Sequence, residues 1–168
     1  MKQVDSLYPE SFIDKYSVSG IHLDKFPSIN DLIKKDTEEY GTGIYALRPY
    51  KRGELIGYFI AKPTKTIRQH SLQRSEGEHL EDPYFVGYLL HNCTPNVVLD
   101  MHAQKVFCIK DIAVDEPLCM DYASTEDALF RQFACACDSK DCRMWITGRN
   151  EKVNAEGELY LNTYLQSA

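Results

Sequence analysis

Three cysteines fall within eight residues in the segment Phe133-Ala134-Cys135-Ala136-Cys137-Asp138-Ser139-Lys140-Asp141-Cys142-Arg143, and that spacing constrains the chain more than any other feature. Thiolates so close repel one another and oxidise readily, so a bound cation is their natural partner. Zinc in a structural site takes four ligands in a tetrahedron, and the fourth has to come from elsewhere in the chain. Cys93 is chosen because Asn92-Cys93-Thr94-Pro95-Asn96 reads as a turn, from which a side chain can reach out. The expected zinc ligands are therefore Cys93, Cys135, Cys137 and Cys142. Cys108 and Cys119 each lie in an apolar strand-like run and read as small core residues.

Whether cysteines are ligands or disulfides depends on the compartment. No apolar run approaches the roughly 20 residues of a membrane span, and Met1-Lys2-Gln3-Val4-Asp5 lacks the apolar core of a secretory signal. The expectation is an intracellular chain, cytoplasmic or nuclear, with no membrane association. There, six cysteines are ligands or buried hydrophobes before they are disulfides. A chain of 168 residues, 43% hydrophobic and 26% charged, suits one globular domain with a single active centre. Its net charge of −6 argues against direct nucleic-acid binding, which rests on a basic surface, and suits a basic peptide or a small cationic ligand.

Along the chain, residues 1–38 read as an N-terminal packing segment whose clearest helical candidate is Ser28 to Lys35, with Ser28 as cap and Ile29, Leu32 and Ile33 on one face. From Gly41 the pattern turns to strand, turn, strand: Gly43 to Leu47, the Lys51-Arg52-Gly53 turn, then Glu54 to Ile60. Residues 62–82 read as an exposed, partly helical insert, basic first and acidic afterwards. Strand-like pieces return at Tyr84 to Leu90, Val97 to Met101, Lys105 to Ile109 and Leu118 to Tyr122. In the tail, Tyr160, Leu161, Tyr164 and Leu165 recur at helical spacing and suggest a final docked helix. Many short strands and few helices predict a mostly β, α+β fold of several small sheets.

Three motifs then stand in the order found in the SET-domain methyltransferases. Gly41-Thr42-Gly43 resembles the family's first cofactor loop and is followed by Gly53-Glu54-Leu55-Ile56. Leu90-His91-Asn92-Cys93-Thr94-Pro95-Asn96 is similar to the family's Asn-His-Ser-Cys-x-Pro-Asn, and Glu116-Pro117-Leu118-Cys119-Met120-Asp121-Tyr122 to its Glu-Glu-Leu-x-x-Asp-Tyr. The cysteine cluster resembles its post-SET motif. The resemblance spans roughly Glu39 to Gly148, and its series of motifs in order is far more specific than any one alone.

The resemblance implies a SET fold at 39–124, a zinc-stapled post-SET segment at 125–148 and a tail at 149–168. It implies S-adenosylmethionine as cofactor, in a pocket built from Gly41, Thr42, Gly43, Ile44, Tyr45, Leu90, His91 and Phe133, with Tyr122 both lining it and acting as the catalytic tyrosine. The implied partner is a lysine-containing protein or peptide, histone or not. The sequence departs from the family at Leu90, where an asparagine is usual, at Gly87, where an arginine is usual, and at Asn92, where a serine is usual. Two other readings stay open: a peptide-binding module with a weakened cofactor site, and a small-molecule methyltransferase on the same fold.

The chemistry fits the residues. A neutral amine attacks a sulfonium methyl in line, which asks a protein mainly for positioning and electrostatics. Aromatic candidates for a channel are Tyr58, Phe59, Tyr84, Phe85, Tyr88 and Tyr122. His91, between apolar neighbours and a turn, reads as a hydrogen-bonded structural residue before it reads as a base. The acidic run Glu76, Glu78, Glu81 and Asp82 is a candidate wall for basic peptide or else a solvated loop.

Overall fold

A computed structural model describes residues 5–167. Helix α1 (Glu10–Tyr16) comes first, and the first strands, β1 (Leu32–Thr37) and β2 (Gly41–Ala46), form a tight antiparallel hairpin that pairs Leu32 with Ala46 and Thr37 with Gly41. Gly41 sits at φ 70°, the left-handed conformation that closes the turn. The helix expected over Ser28 to Lys35 is absent. Ser28 instead caps a turn, its Oγ accepting from Asn30 N at 3.0 Å, and strand begins at Leu32. Pairing with β2 outweighs the helical spacing, and Ile29 and Ile33 end up exposed.

Strand β3 (Leu55–Tyr58), reached through the Gly53 turn, joins β8 (Val97–Asp100) and β9 (Lys105–Cys108) in an antiparallel sheet ordered β3-β9-β8. Phe59 and Ile60 lie beyond the strand but are fully buried, and Ile60 N donates to the Tyr8 hydroxyl at 3.2 Å. The insert is not helical. It forms a three-stranded sheet from β4 (Lys62–Thr64), β5 (Ser71–Ser75) and β6 (Glu78–Glu81), with β6 central and a left-handed Gly77 turning β5 into β6. Nor is it wholly exposed, since Leu72 and Leu80 join the main core.

The segment expected as strand over Tyr84 to Leu90 is a 3-10 turn at Val86–Tyr88, and Asp82 is the reason. Its buried carboxylate accepts from the backbone N–H of Tyr84, Phe85 and Val86 at 2.9, 3.0 and 2.9 Å and from the Tyr8 hydroxyl at 2.6 Å. Four donors satisfy a charge that burial would otherwise make costly, and they curl the chain in doing so.

Two-residue pairs complete the fold: β7 (Leu90–His91) lies parallel to β10 (Cys119–Met120), and β11 (Phe133–Ala134) antiparallel to β12 (Trp145–Ile146). Helix α2 (Ala155–Ser167) docks through Gly157 and Tyr160. The Trp145 indole lies so close over Gly157 that a Cβ there would collide with it. Tyr164 and Leu165, expected at that contact, are exposed instead. No helix among the described residues is long and apolar enough to cross a membrane.

Candidate active site and metal centre

A cleft of about 970 Å³ runs between the segment 86–92 with β10 and Tyr122 on one side, and residues 129–137 on the other. The first wall is threaded. Leu90 N donates to Leu118 O at 3.3 Å and Asn92 N to Met120 O at 3.0 Å, so two short segments lie side by side. Asn96 ties them with both ends of its amide: Nδ2 donates to Pro117 O at 2.9 Å and Oδ1 accepts from Cys119 N at 2.8 Å. The Asn92 side chain accepts from Thr94 N at 2.8 Å, and the turn this closes carries Cys93 outwards.

Tyr122 follows directly. Asp121 caps the 3-10 turn Tyr122–Ser124, its Oδ1 accepting from Ala123 N at 3.0 Å. The Tyr122 hydroxyl donates to Leu89 O at 2.8 Å. Burial, with Cys119 nearby, pushes its pKa well above the ordinary range, so the phenol stays neutral. With its proton committed to Leu89, the oxygen retains its lone pairs as acceptors.

His91 holds Tyr122 in place. Its Nδ1 accepts from Tyr122 N at 3.2 Å, which leaves the proton of the neutral ring on Nε2, 3.4 Å from Cys93 Sγ. Burial lowers its pKa to about 4 against the pull of Asp121, so the ring is neutral. Both nitrogens are engaged, and His91 is a spacer between tyrosine and thiol, not a base. His91, Tyr122 and Phe133 meet edge to face, with ring centroids 5.2, 5.7 and 5.9 Å apart.

The four cysteines foreseen as ligands converge. The Sγ atoms of Cys93, Cys135, Cys137 and Cys142 all lie within 4.8 Å of one another, and Cys93 and Cys135 are 3.9 Å apart. Tetrahedral zinc with bonds of about 2.3 Å sets its sulfurs about 3.8 Å apart. Backbone N–H groups of Arg143 and Met144 point at Cys93 and Cys142 Sγ, each at 3.4 Å. Burial and neighbouring thiols push Cys135 far up, whereas Cys137 falls to about 6 because backbone N–H groups and adjacent thiols outweigh its burial. One thiol ionises easily and the next resists; four ionise together only around a cation, so the donor set fits zinc. Arg143 ties this knot to the tyrosine through two hydrogen bonds to the Asp121 carboxylate, at 2.9 and 2.6 Å.

Of the pocket residues that the resemblance implied, Thr42, Leu90, His91, Tyr122 and Phe133 line the cleft. Ile44 and Tyr45 are buried, and Ile44 O is taken by Leu118 N at 2.8 Å. Gly43 lies behind Leu90, where a Cβ would stand 2.9 Å from Leu90 Cδ1. The departure at Leu90 thus puts an apolar side chain against Gly43, where a Cβ would require that side chain to shift. Gly87 is fixed far more firmly: a Cβ there would fall on the backbone carbonyl oxygens of Asp82 and His70, 2.6 Å from the latter. No arginine fits at that position.

Among the proposed channel aromatics, Tyr88 and Tyr122 reach the cleft, and His70 stacks on Tyr88 at 4.1 Å. Phe59 and Phe85 are core, Tyr84 packs against Tyr8 and Phe12, and Tyr58 lies under Lys105. The acidic run is no wall of the cleft. Glu78 pairs with Arg74, Glu81 with Arg68, and Asp82 is internal. Glu126 was not foreseen: it is buried, lines the cleft, and bonds to Gln73 N at 2.6 Å. Its polar neighbours in sequence gave no periodic signal that would have picked it out.

Comparisons place this architecture. It is similar to a crystal structure of KRYPTONITE in complex with mCHG DNA and SAH, at a TM-score of 0.56 and 18% identity over 68% of this chain and 28% of that one. It is also similar to the methyltransferase domain of human histone-lysine N-methyltransferase SETMAR, at a TM-score of 0.53 and 19% identity over 70% of this chain and 58% of that one. The chain has the SET fold, with small sheets, an inserted sheet and a cysteine-rich C-terminal segment. Its four-cysteine cluster is compatible with a post-SET zinc site.

Two curated relatives are similar in sequence. One is Methyltransferase flvH of Aspergillus flavus, 28% identical over 110 residues, covering 64% of this chain and 61% of the relative. The other is a variant-silencing SET domain-containing protein of Plasmodium falciparum, 23% identical over 142 residues, covering 68% of this chain but 6% of the relative. The chain therefore spans less than two thirds of either. No family model matches it.

Proposed function

We propose that the protein is an intracellular methyltransferase that uses S-adenosylmethionine to methylate a lysine side chain of a protein substrate, with one zinc held by Cys93, Cys135, Cys137 and Cys142. The observation that carries this reading is the Tyr122 hydroxyl, neutral, buried and oriented by Leu89 O, in one cleft with Leu90, His91 and Phe133. Support comes from the SET neighbours crystallised with SAH, one of them also with an H3(1-15) peptide, and from a relative named as a methyltransferase. In this reading residues 39–124 are the SET unit, 125–148 the post-SET segment, and 1–38 and 149–168 its flanks. The hairpin of β1 with β2 crosses position 38, so the first flank adds a strand to the unit it packs on.

The bound cofactor supplies an electrophilic sulfonium methyl. Thr42, Leu90, His91 and Phe133 would line its pocket, beside the Gly41–Tyr45 strand. Tyr122 orients the acceptor amine through its lone pairs, while Phe133 and Leu90 keep water away and so strengthen that dipole. Cys93, Cys135, Cys137 and Cys142 would hold the zinc and, through it, residues 133–137 against the cleft. Calorimetric titration with S-adenosylmethionine and S-adenosylhomocysteine, with transfer of labelled methyl to lysine peptides, tests the reading. Absence of binding by zinc-loaded protein would overturn it.

A further inference from the structure

We propose that Glu126 is a cation subsite of the cleft, receiving the acceptor amine as an ammonium ion. The inference rests on the methyltransferase reading for the identity of its ligand, but not for the existence of the site.

Glu126 follows Tyr122 by one turn, its N–H donating to Tyr122 O at 3.0 Å, and its residue is only 6% exposed. Its two carboxylate oxygens are treated differently. Oε1 accepts from Gln73 N at 2.6 Å and from the Thr125 hydroxyl at 3.1 Å. Oε2 has no hydrogen-bond partner among the described residues, yet it is not sealed from solvent, since the one side-chain atom both buried and unpartnered is His79 Nδ1. Glu126 is also one of the residues that line the cleft.

No arginine or lysine forms an ion pair with this carboxylate among the described residues. Arg149, whose charge lowers the Glu126 pKa, is bonded to Asp127 and to the Ser124 and Thr125 carbonyls. Arg68 pairs with Glu81, and Arg131 reaches towards Glu156. Burial raises the Glu126 carboxyl to about 7, as expected of an anion whose compensation is incomplete. A buried carboxylate with one oxygen free in a cleft is complemented by a compact, hydrogen-bonding cation, and a primary ammonium is one. In the methyltransferase reading, a lysine side chain enters the cleft charged, and Glu126 offsets that charge until the amine gives up its proton.

The competing account is that Glu126 only clasps the insert to the post-SET segment, together with Asp127, whose Oδ2 accepts from Gln73 Nε2 at 2.7 Å. The two accounts differ in what a free amine does. Protein carrying ¹³C-labelled glutamate carboxyls is titrated by NMR with n-butylammonium chloride, with 1-butanol and with sodium chloride at matched ionic strength; Glu126→Gln assigns the resonance. We expect n-butylammonium alone to lower the Glu126 titration midpoint by about one pH unit or more. An unchanged midpoint, or an equal change with sodium chloride, overturns the subsite and leaves the clasp. If Glu126→Gln folds poorly, Glu126→Asp, which keeps a carboxylate but removes the labelled glutamate resonance, makes the assignment instead. Calorimetry with S-adenosylhomocysteine on the same sample separates the two readings: without that binding the methyltransferase reading falls, while the amine titration still decides the subsite.

Discussion

The two walls of the cleft are built by different physics. The inner wall, residues 86–92 with β10 and Tyr122, is held by backbone ladders, the Asn96 amide and buried apolar neighbours such as Leu89, Leu118 and Met120. The outer wall, residues 125–146, carries a single short ladder, the two-residue pair of β11 with β12, and packs through Phe133 on His91 and Tyr122 and through Trp145 on α2. It is attached by the cysteine cluster, by Arg143 on Asp121 and by Glu126 and Asp127 on Gln73. Apolar packing and ladders change little with solution conditions; thiolates, ion pairs and a metal change with all of them. The inner wall should therefore keep its shape where the outer wall comes loose.

The largest effect expected is on the outer wall. Cys137→Ser removes one of four ligands and chelation removes the metal, whose binding to a complete structural site is worth of the order of ten kcal/mol at neutral pH. We expect loss of metal by elemental analysis and cofactor binding weakened at least a hundredfold, with the main unfolding transition retained. Collapse of the whole fold would erase the distinction between the walls.

Next is an inner-wall position that should act globally. Gly87→Ala places a methyl on the backbone oxygens of Asp82 and His70, which no rotamer relieves. A loss of about 3 kcal/mol or more in denaturant unfolding is expected, with zinc content unchanged. A neutral result would mean that this wall gives way after all.

Tyr122→Phe separates chemistry from both. It removes the hydroxyl bonded to Leu89 and leaves the ring against His91 and Phe133. Turnover should fall about a hundredfold, in kcat rather than in cofactor Kd, with near-native folding. Unaltered kcat on a substrate that the wild type methylates would remove Tyr122 from the mechanism.

The smallest effect is expected for Arg143→Ala. Its pair with Asp121 is partly exposed, so the loss in stability should stay below about 1 kcal/mol and shrink further with added salt. A stability loss of several kcal/mol would make Arg143 a second anchor equal to the metal.

Much of the site was legible because its chemistry is local. Cys135, Cys137 and Cys142 announce a metal by spacing alone, and Asn92 to Asn96 announces a turn by composition. Less of the secondary structure was legible where one side chain redirects the backbone. Asp82 turns a strand-like aromatic run into a 3-10 turn by gathering three N–H groups, and nothing in that run announces it. The helical spacing of Ile29, Leu32 and Ile33 was real, but β2 offered that segment a ladder, and pairing energy decided.

The sequence by itself determined the four thiols and the β-rich class, which follow from residue type and short spacing, while its resemblance to the SET-domain family pointed to Tyr122. Tertiary structure alone decided which aromatics face the cleft, why Gly87 admits no side chain, and that Glu78 and Glu81 pair with arginines while Asp82 is internal. It also decided that Glu126, 53 residues from Gln73 in the chain, holds one oxygen to the insert and leaves the other without a hydrogen-bond partner. Such facts belong to close approach between distant segments, and only packing brings those segments together.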